Sequence, residues 1–347
     1  MFQAVSLSDR EKKVLRLIIQ HFVLTANPVG SRHLARHGKL GLSPATIRNV
    51  MADLEERGLL SHPHTSAGRL PTDLGYRVYV NQLMETTELS AREKESIEQV
   101  FEEVSGELDE ILIVTARVLS QLSKLLGIVL APSLSEGVLD RIDIVRIAEG
   151  RALIVIAVRL GPVRTILAEI SQILTDEQVQ RIARELNARL AGLTLEQVKN
   201  EIAARVGDLP EGRTELVRFF VDSAEKLFTF AAPQDLRIGP TAQVIAQPEF
   251  ANAKSLRGII ELIEDRDIVV HLLTTPTGEE EKVHVAIGGE NPERRARSLS
   301  VLTSHYEASG VRGALGIIGP TRMNYPRLVS LVDYTAKTVA KHLKRES

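Results

Sequence analysis

The stretch Ser43-Pro44-Ala45-Thr46-Ile47-Arg48-Asn49-Val50-Met51-Ala52-Asp53-Leu54-Glu55-Glu56-Arg57-Gly58 decides how the first part of this 347-residue chain folds. Ser43 is a good N-cap, because its side-chain oxygen can accept from a free N–H of the first turn. Pro44 follows at the first helical position, where its missing N–H costs nothing. Gly58 stands where a left-handed residue ends a helix. Between these marks Ile47, Val50, Met51 and Leu54 recur at helical spacing and form one apolar face. At about 100° per residue, Ala45, Arg48, Asn49 and Ala52 project from the opposite side.

The segments on either side complete the unit. Ser8 and Glu11 fit a capping box, and Val14, Leu17, Ile18, His21 and Phe22 then give a buried stripe. Asn27-Pro28-Val29-Gly30 breaks that helix, and Ser31 is expected to cap a short second one carrying Leu34. After Gly58, Leu59-Leu60 begins a strand, residues 62–69 read as a hairpin tip, and Leu70 returns. Thr72 caps a helix running through Tyr76 and Tyr79 to Met84. Three short helices, a hairpin and a closing helix make a winged helix-turn-helix over residues 1–85. A three-helix bundle with a decorative loop is the plainer alternative.

Charge points the same way. The whole chain carries a formal −2, which argues against nucleic acid when taken alone. Residues 1–85 nevertheless hold 11 Lys and Arg against 7 Asp and Glu, and the remainder holds 32 against 38. A basic head therefore sits on an acidic body. In a recognition helix the N-terminal residues face base edges, here Ser43, Ala45, Thr46, Arg48 and Asn49. Arg suits bidentate contact to guanine and Asn to adenine, while Ser43 and Thr46 can hold phosphate. Arg32 and Arg36 on the second helix are candidate phosphate contacts. So are His64, Thr65, Ser66 and Arg69 of the wing, with Gly68 read as making its turn. A solvated helix face with one Arg and one Asn is the bland reading. His62 and His64 share a strand face, but no third ligand lies near them in sequence, so no metal site is expected.

The body reads as mixed helix and strand. Glu85-Thr86-Thr87-Glu88 looks like a linker, and Ser90 with Glu93 opens a long helical segment to about residue 126. Ile97, Phe101, Val104, Leu108, Ile111, Thr115, Val118, Leu122 and Leu125 form a heptad seam. That seam either pairs with a second copy or covers a sheet in the same chain, and its width favours the second. Strands are expected at 127–131, 140–147, 151–159 and 163–170, then helices at 175–190, 194–206 and 214–228. After Pro233 come a helix at 252–264, strands at 268–273, 283–287, 298–306 and 313–318, and a last helix from about Pro326 to Lys344. A sheet, a helical block and more sheet is what an insertion into an α+β domain produces.

Other classes are thinly supported. There is no Cys, which removes disulfides and thiolate chemistry. No apolar run approaches the roughly 20 residues of a membrane span, and no signal peptide is seen, so a cytoplasmic protein without membrane contact is expected. The glycine-containing stretches at 288–292 and 316–321 lack the spacing and Lys of a phosphate loop. No catalytic constellation is found, and neither an enzyme nor a cofactor is expected.

Residues 40–77 carry L-G-L-S-P-A-T-I-R-N-V-M-A-D-L-E-E-R-G-L-L-S-H-P-H-T-S-A-G-R-L-P-T-D-L-G-Y-R, preceded by N-P-V-G-S-R at 27–32. I-A-Q-P-E-F at 245–250, G-G-E-N-P at 288–292, G-I-I-G-P-T-R-M-N-Y at 316–325 and L-V-S-L-V-D-Y at 328–334 follow in order. The chain resembles the HrcA family of heat-inducible transcription repressors along essentially its whole length. That resemblance implies a winged-helix head, a GAF-like domain at 90–171 and 246–347, and an inserted dimerisation domain at 172–245. It also implies a homodimer on an inverted-repeat operator called CIRCE, ahead of chaperone genes, with the GroEL chaperonin as modulator. Phe219 and Phe220 of the insert are candidate dimer anchors, with ordinary packing in the insert's own core as the alternative for each. A ligand-gated regulator whose GAF-like body binds a metabolite is the rival reading.

Overall fold

A computed structural model describes residues 6–62, 68–104, 108–132, 137–159, 163–170, 172, 174–207, 209, 214–228, 236–274, 282–308 and 311–345. The chain is a mixed helix-and-sheet protein, with the described strands in three sheets.

The head forms as its punctuation dictates. Helix α1 (Asp9–Thr25) starts with the expected Ser8–Glu11 capping box and buries Val14, Leu15, Ile18 and Ile19. Helix α2 (Ser31–His37) is not capped by Ser31. Gly30 occupies that position without a side-chain bond, and Ser31 is buried as the first helical residue. The cause lies next door: Val29 exchanges two 3.0 Å backbone hydrogen bonds with Arg69, which fixes where the chain turns into α2. Helix α3 (Pro44–Glu56) has Ser43 accepting from the Thr46 N–H at 3.1 Å and ends before Gly58 at φ +72°. Strands β1 (Leu60–Ser61) and β2 (Leu70–Pro71) pair antiparallel, Leu60 opposite Pro71 and Ser61 opposite Leu70. Helix α4 (Asp73–Val78), capped by Thr72, runs on into a π-turn at Tyr79–Leu83.

The long segment after the linker is two helices, α5 (Ala91–Glu102) and α6 (Leu108–Ser123). Its seam is covered within the chain: Ile97, Phe101, Ile111, Thr115 and Val118 are all buried. A five-stranded antiparallel sheet lies beside it, in the order β7 (Leu236–Ile238), β3 (Leu126–Leu130), β10 (Val311–Pro320), β9 (Leu299–Ala308), β8 (His284–Ile287). Alternation along the strands divides its side chains between two cores. Val129, Leu302, Leu315 and Ile317 meet α6 and the final helix α14 (Tyr325–Arg345). Ile128, Val301, Ala314 and Ile318 meet the helices at 253–274 on the other face.

Those covering helices include one misread segment. Residues 268–273, expected as a strand, lie within a helix at Arg266–Thr274. A short apolar run fits either state by pattern alone. Here Val269, Val270, Leu272 and Leu273 pack onto the five-stranded sheet.

A separate core holds the elements between Leu139 and Phe228. Strands β4 (Leu139–Ala148), β5 (Arg151–Val158) and β6 (Val163–Glu169) form a three-stranded antiparallel sheet. One face packs on α7 (Asp176–Leu190), α8 (Leu195–Val206), α9 (Glu215–Asp222) and α10 (Ala224–Phe228). The helix expected at 214–228 is divided at Ser223. Asn187 fastens sheet to helix, accepting from Ile142 N at 2.8 Å and donating to Ile142 O at 2.7 Å. The helices at 176–228 thus share their core with strands that precede them, while Leu236 and Val244, at the end of the expected 172–245 insert, belong to the core of the five-stranded sheet.

Candidate nucleic-acid interface

Helix α3 buries Ile47, Val50, Met51 and Leu54 against the head and leaves Ala45, Arg48 and Asn49 exposed. The side chains of Arg48 and Asn49 have no hydrogen bond or ion pair to another described residue, which leaves them available to partners outside the protein. Ser43 and Thr46 are different. Their hydroxyls lie 2.9 Å apart, and the Ser43 oxygen also caps the helix, so part of their hydrogen-bonding capacity is spent at home. Arg32 and Arg36 are exposed one turn apart on α2. Helix α2 also carries His33 and His37, which stack with ring centres 4.4 Å apart, and His21 of α1 lies 4.1 Å from His33. Burial first, then these two neighbours, holds His33 below its ordinary pKa.

The base of the ribbon is held to α3. Arg69 is an ion-pair partner of Glu55, Nε to Oε2 at 2.8 Å, and only 19% of its side chain is exposed. His62 bridges the pair, close to Glu55 Oε1 through Nδ1 and 2.7 Å from Arg69 Nη1 through Nε2. The His62 contact, then the nearby Arg69 charge, keeps the Glu55 carboxyl below its usual range. Gly68 serves by size rather than by a left-handed turn: a Cβ there would lie 2.7 Å from Pro28 Cβ and 2.8 Å from its carbonyl carbon. The expected contacts His64, Thr65 and Ser66 lie outside the described residues. Of the two candidate dimer anchors, Phe220 is fully buried in the core of its own helices and sheet, as the packing alternative has it. Phe219 is half-buried, edge-on to it at 6.3 Å.

A second set of residues, missed by the sequence reading, joins head to body. On α4, Asp73 accepts from Gly289 N at 2.9 Å. Arg77 donates from Nε to Glu290 Oε1 at 2.8 Å, and from Nη2 to Glu290 Oε2 and the Val285 carbonyl. Tyr76 packs on Tyr325, ring centres 5.7 Å apart, both buried. At the end of α1, Arg322 donates to the Val23 carbonyl at 2.7 Å while gripping Glu249 at 2.5 and 3.1 Å. Gly288, at φ +53°, has no room for a side chain beside the Asp73 carboxylate. The quoted stretches at 245–250, 288–292 and 316–325 supply much of its body side, but only the fold shows that they meet the head.

Among the described residues no helix is long and apolar enough to cross a membrane. A basic helical head with a free polar face, docked on a mixed helix-and-sheet body, is the layout of a transcription regulator. The family model for the HrcA protein C-terminal domain matches residues 109–329. The heat-inducible transcription repressor HrcA of Chlorobium phaeobacteroides (strain DSM 266) is 39% identical over 349 residues, covering 97% of this chain and 98% of that protein. Its namesake in Chlorobaculum tepidum is 41% identical over 348 residues, with the same coverage. A crystal structure of a hypothetical protein, 21% identical, shares the fold at a TM-score of 0.61 over 99% of this chain and 100% of that one. The chain belongs to the HrcA family of heat-inducible transcription repressors, whose named members are repressors rather than enzymes.

Proposed function

We propose that this chain represses chaperone genes by binding an inverted-repeat operator of the CIRCE type as a homodimer in the cytoplasm, with the GroEL chaperonin modulating its active fraction. The observation that carries this reading is the free, exposed pair Arg48 and Asn49 on a helix whose other face is fully committed to the head. In it, residues 1–85 are a winged helix-turn-helix with α3 in the major groove. Ser43, Ala45 and Thr46 accompany Arg48 and Asn49 there, Arg32 and Arg36 hold phosphate, and the ribbon tip with His64, Thr65 and Ser66 touches the backbone. The five-stranded sheet and its helices are the GAF-like domain.

The insert supplies the dimer surface. We assign to it β4–β6 as well as the helices, since they share one core. The outer face of that sheet supports the assignment. Val145, Leu153 and Leu167 stand opposite one another across the three strands, and Ala157 faces Val163. Val145, Ile147, Val163 and Leu167 are all more than half exposed, an unusual display of aliphatic surface for a monomer. A two-fold dimer would cover this face with its own copy.

A gel shift with the inverted repeat tests the reading. Specific retardation by the wild-type chain, lost on Arg48→Ala and raised in active fraction by added chaperonin, is the expected result. Equal binding to unrelated duplexes would overturn it.

A further inference from the structure

The joint between α4, the end of α1 and the body does more than attach the head. We propose that it is a clasp that fixes the orientation of the reading head, so that Asp73, Arg77, Glu290 and Arg322 are positioning residues that set which half-site spacing is accepted. This rests on the dimeric-operator reading above and adds to it.

Two anchors are needed to fix a rigid body, because one leaves rotation about the contact. The clasp has two, on different elements. Arg77 and Asp73 hold α4 to the 285–290 segment. Arg322 holds the last turn of α1, whose Val23 carbonyl is one of the acceptors a helix end leaves open. Both anchors are charge-assisted and mostly sheltered: the Arg77 and Glu290 side chains are 15% and 17% exposed. Between them Tyr76, Tyr325, Val285 and Ile287 belong to one continuous core with α1 and α3. The exposed run Glu85–Glu88 is therefore not what sets the head's position.

Orientation matters because half-sites repeat along a helix. Each base pair moves a half-site by about 3.4 Å and turns it about the axis, so rigidly held heads accept one spacing and reject its neighbours. Loosely held heads accept several. Glycine at 288 follows the same logic, since the Asp73 contact requires the loop to approach closely.

The test uses the full-length chain and duplexes carrying the inverted repeat with its spacer unchanged or altered by one, two and five base pairs, beside a single half-site. The wild type should favour one spacer by about 30-fold over those changed by two base pairs. Glu290→Gln combined with Arg322→Gln should reduce that preference to about threefold, with half-site affinity unchanged within about twofold. Arg77→Lys keeps the charge but loses the fork, and gives an intermediate profile if the double variant does not fold. Folded variants that keep the wild-type spacing profile overturn the proposal. Variants that bind the best repeat more tightly than wild type also overturn it, because the clasp then restrains the head from binding. A wild type that prefers no repeat over a half-site overturns the operator reading and the clasp's role together.

Discussion

Arg69 of the ribbon lies 2.8 Å from Glu55 of α3, so the cation best placed to meet DNA from the ribbon is already paired inside the head. That pairing lowers its value as a phosphate contact in the free protein and ties the ribbon to the reading helix. Glu55→Gln should release it. Nonspecific affinity should rise several-fold, and the slope of log affinity against log salt should steepen by about one. Arg69→Ala should weaken binding to all sequences. Salt titrations of both variants check this, and an unchanged slope in Glu55→Gln would count against a released cation.

Arg48 and the α2 arginines should fail differently. Arg48→Ala removes a base-edge fork and should cost about 1–3 kcal/mol on the operator while sparing random duplex. Arg32→Ala and Arg36→Ala should weaken both duplexes alike. A competition gel shift separates the two patterns, and equal losses on both duplexes for Arg48→Ala would remove it from base reading.

The head was legible because its signals are local. Ser8, Ser43, Thr72 and Gly58 act within one turn of themselves, and each sits where the pattern puts it. Ser31 failed because a distant pairing, Val29 with Arg69, shifted the helix start. The 268–273 segment failed for a related reason: its apolar run is helical because of what it covers. The free pair Arg48 and Asn49 could be read from helical phase alone. The Glu55–His62–Arg69 cluster and the clasp could not, since Arg77 and Glu290 are separated by 213 positions and only the fold brings them together.

The insert offers a contrast between interior and surface. Phe220→Ala empties a fully buried site and should cost about 3–5 kcal/mol of stability. Leu167→Asp changes an exposed strand residue and should leave the protomer nearly as stable while separating the dimer. Sedimentation beside thermal unfolding tests both. A Leu167→Asp chain that remains dimeric would move the interface elsewhere.

Acid should act at several groups, Glu93 and His33 among them. Glu93 is held down to about 2 by hydrogen bonds from Ser90, then by Arg327 of α14. Its folded pKa lies below the ordinary 4.5, so its contribution is complete above that value and is lost as pH falls from 4.5 towards 2. His33 is also depressed, so the neutral form suits the fold and stability declines as pH drops below 6.5. Unfolding followed across pH should show the first loss flattened by Glu93→Gln and the second by His33→Asn. An unaltered acid limb in either variant would show that the group does not contribute to acid sensitivity.

In the proposed repressor, two copies of this chain read one inverted repeat through α3. The most direct measurement is the mass of the complex with a duplex carrying one repeat, by sedimentation or light scattering, for wild type and Arg48→Ala at the same concentration. Two chains per duplex, falling to free DNA and free protein dimer in the variant, is the result expected. One chain per duplex, or a complex indifferent to Arg48→Ala, would contradict it.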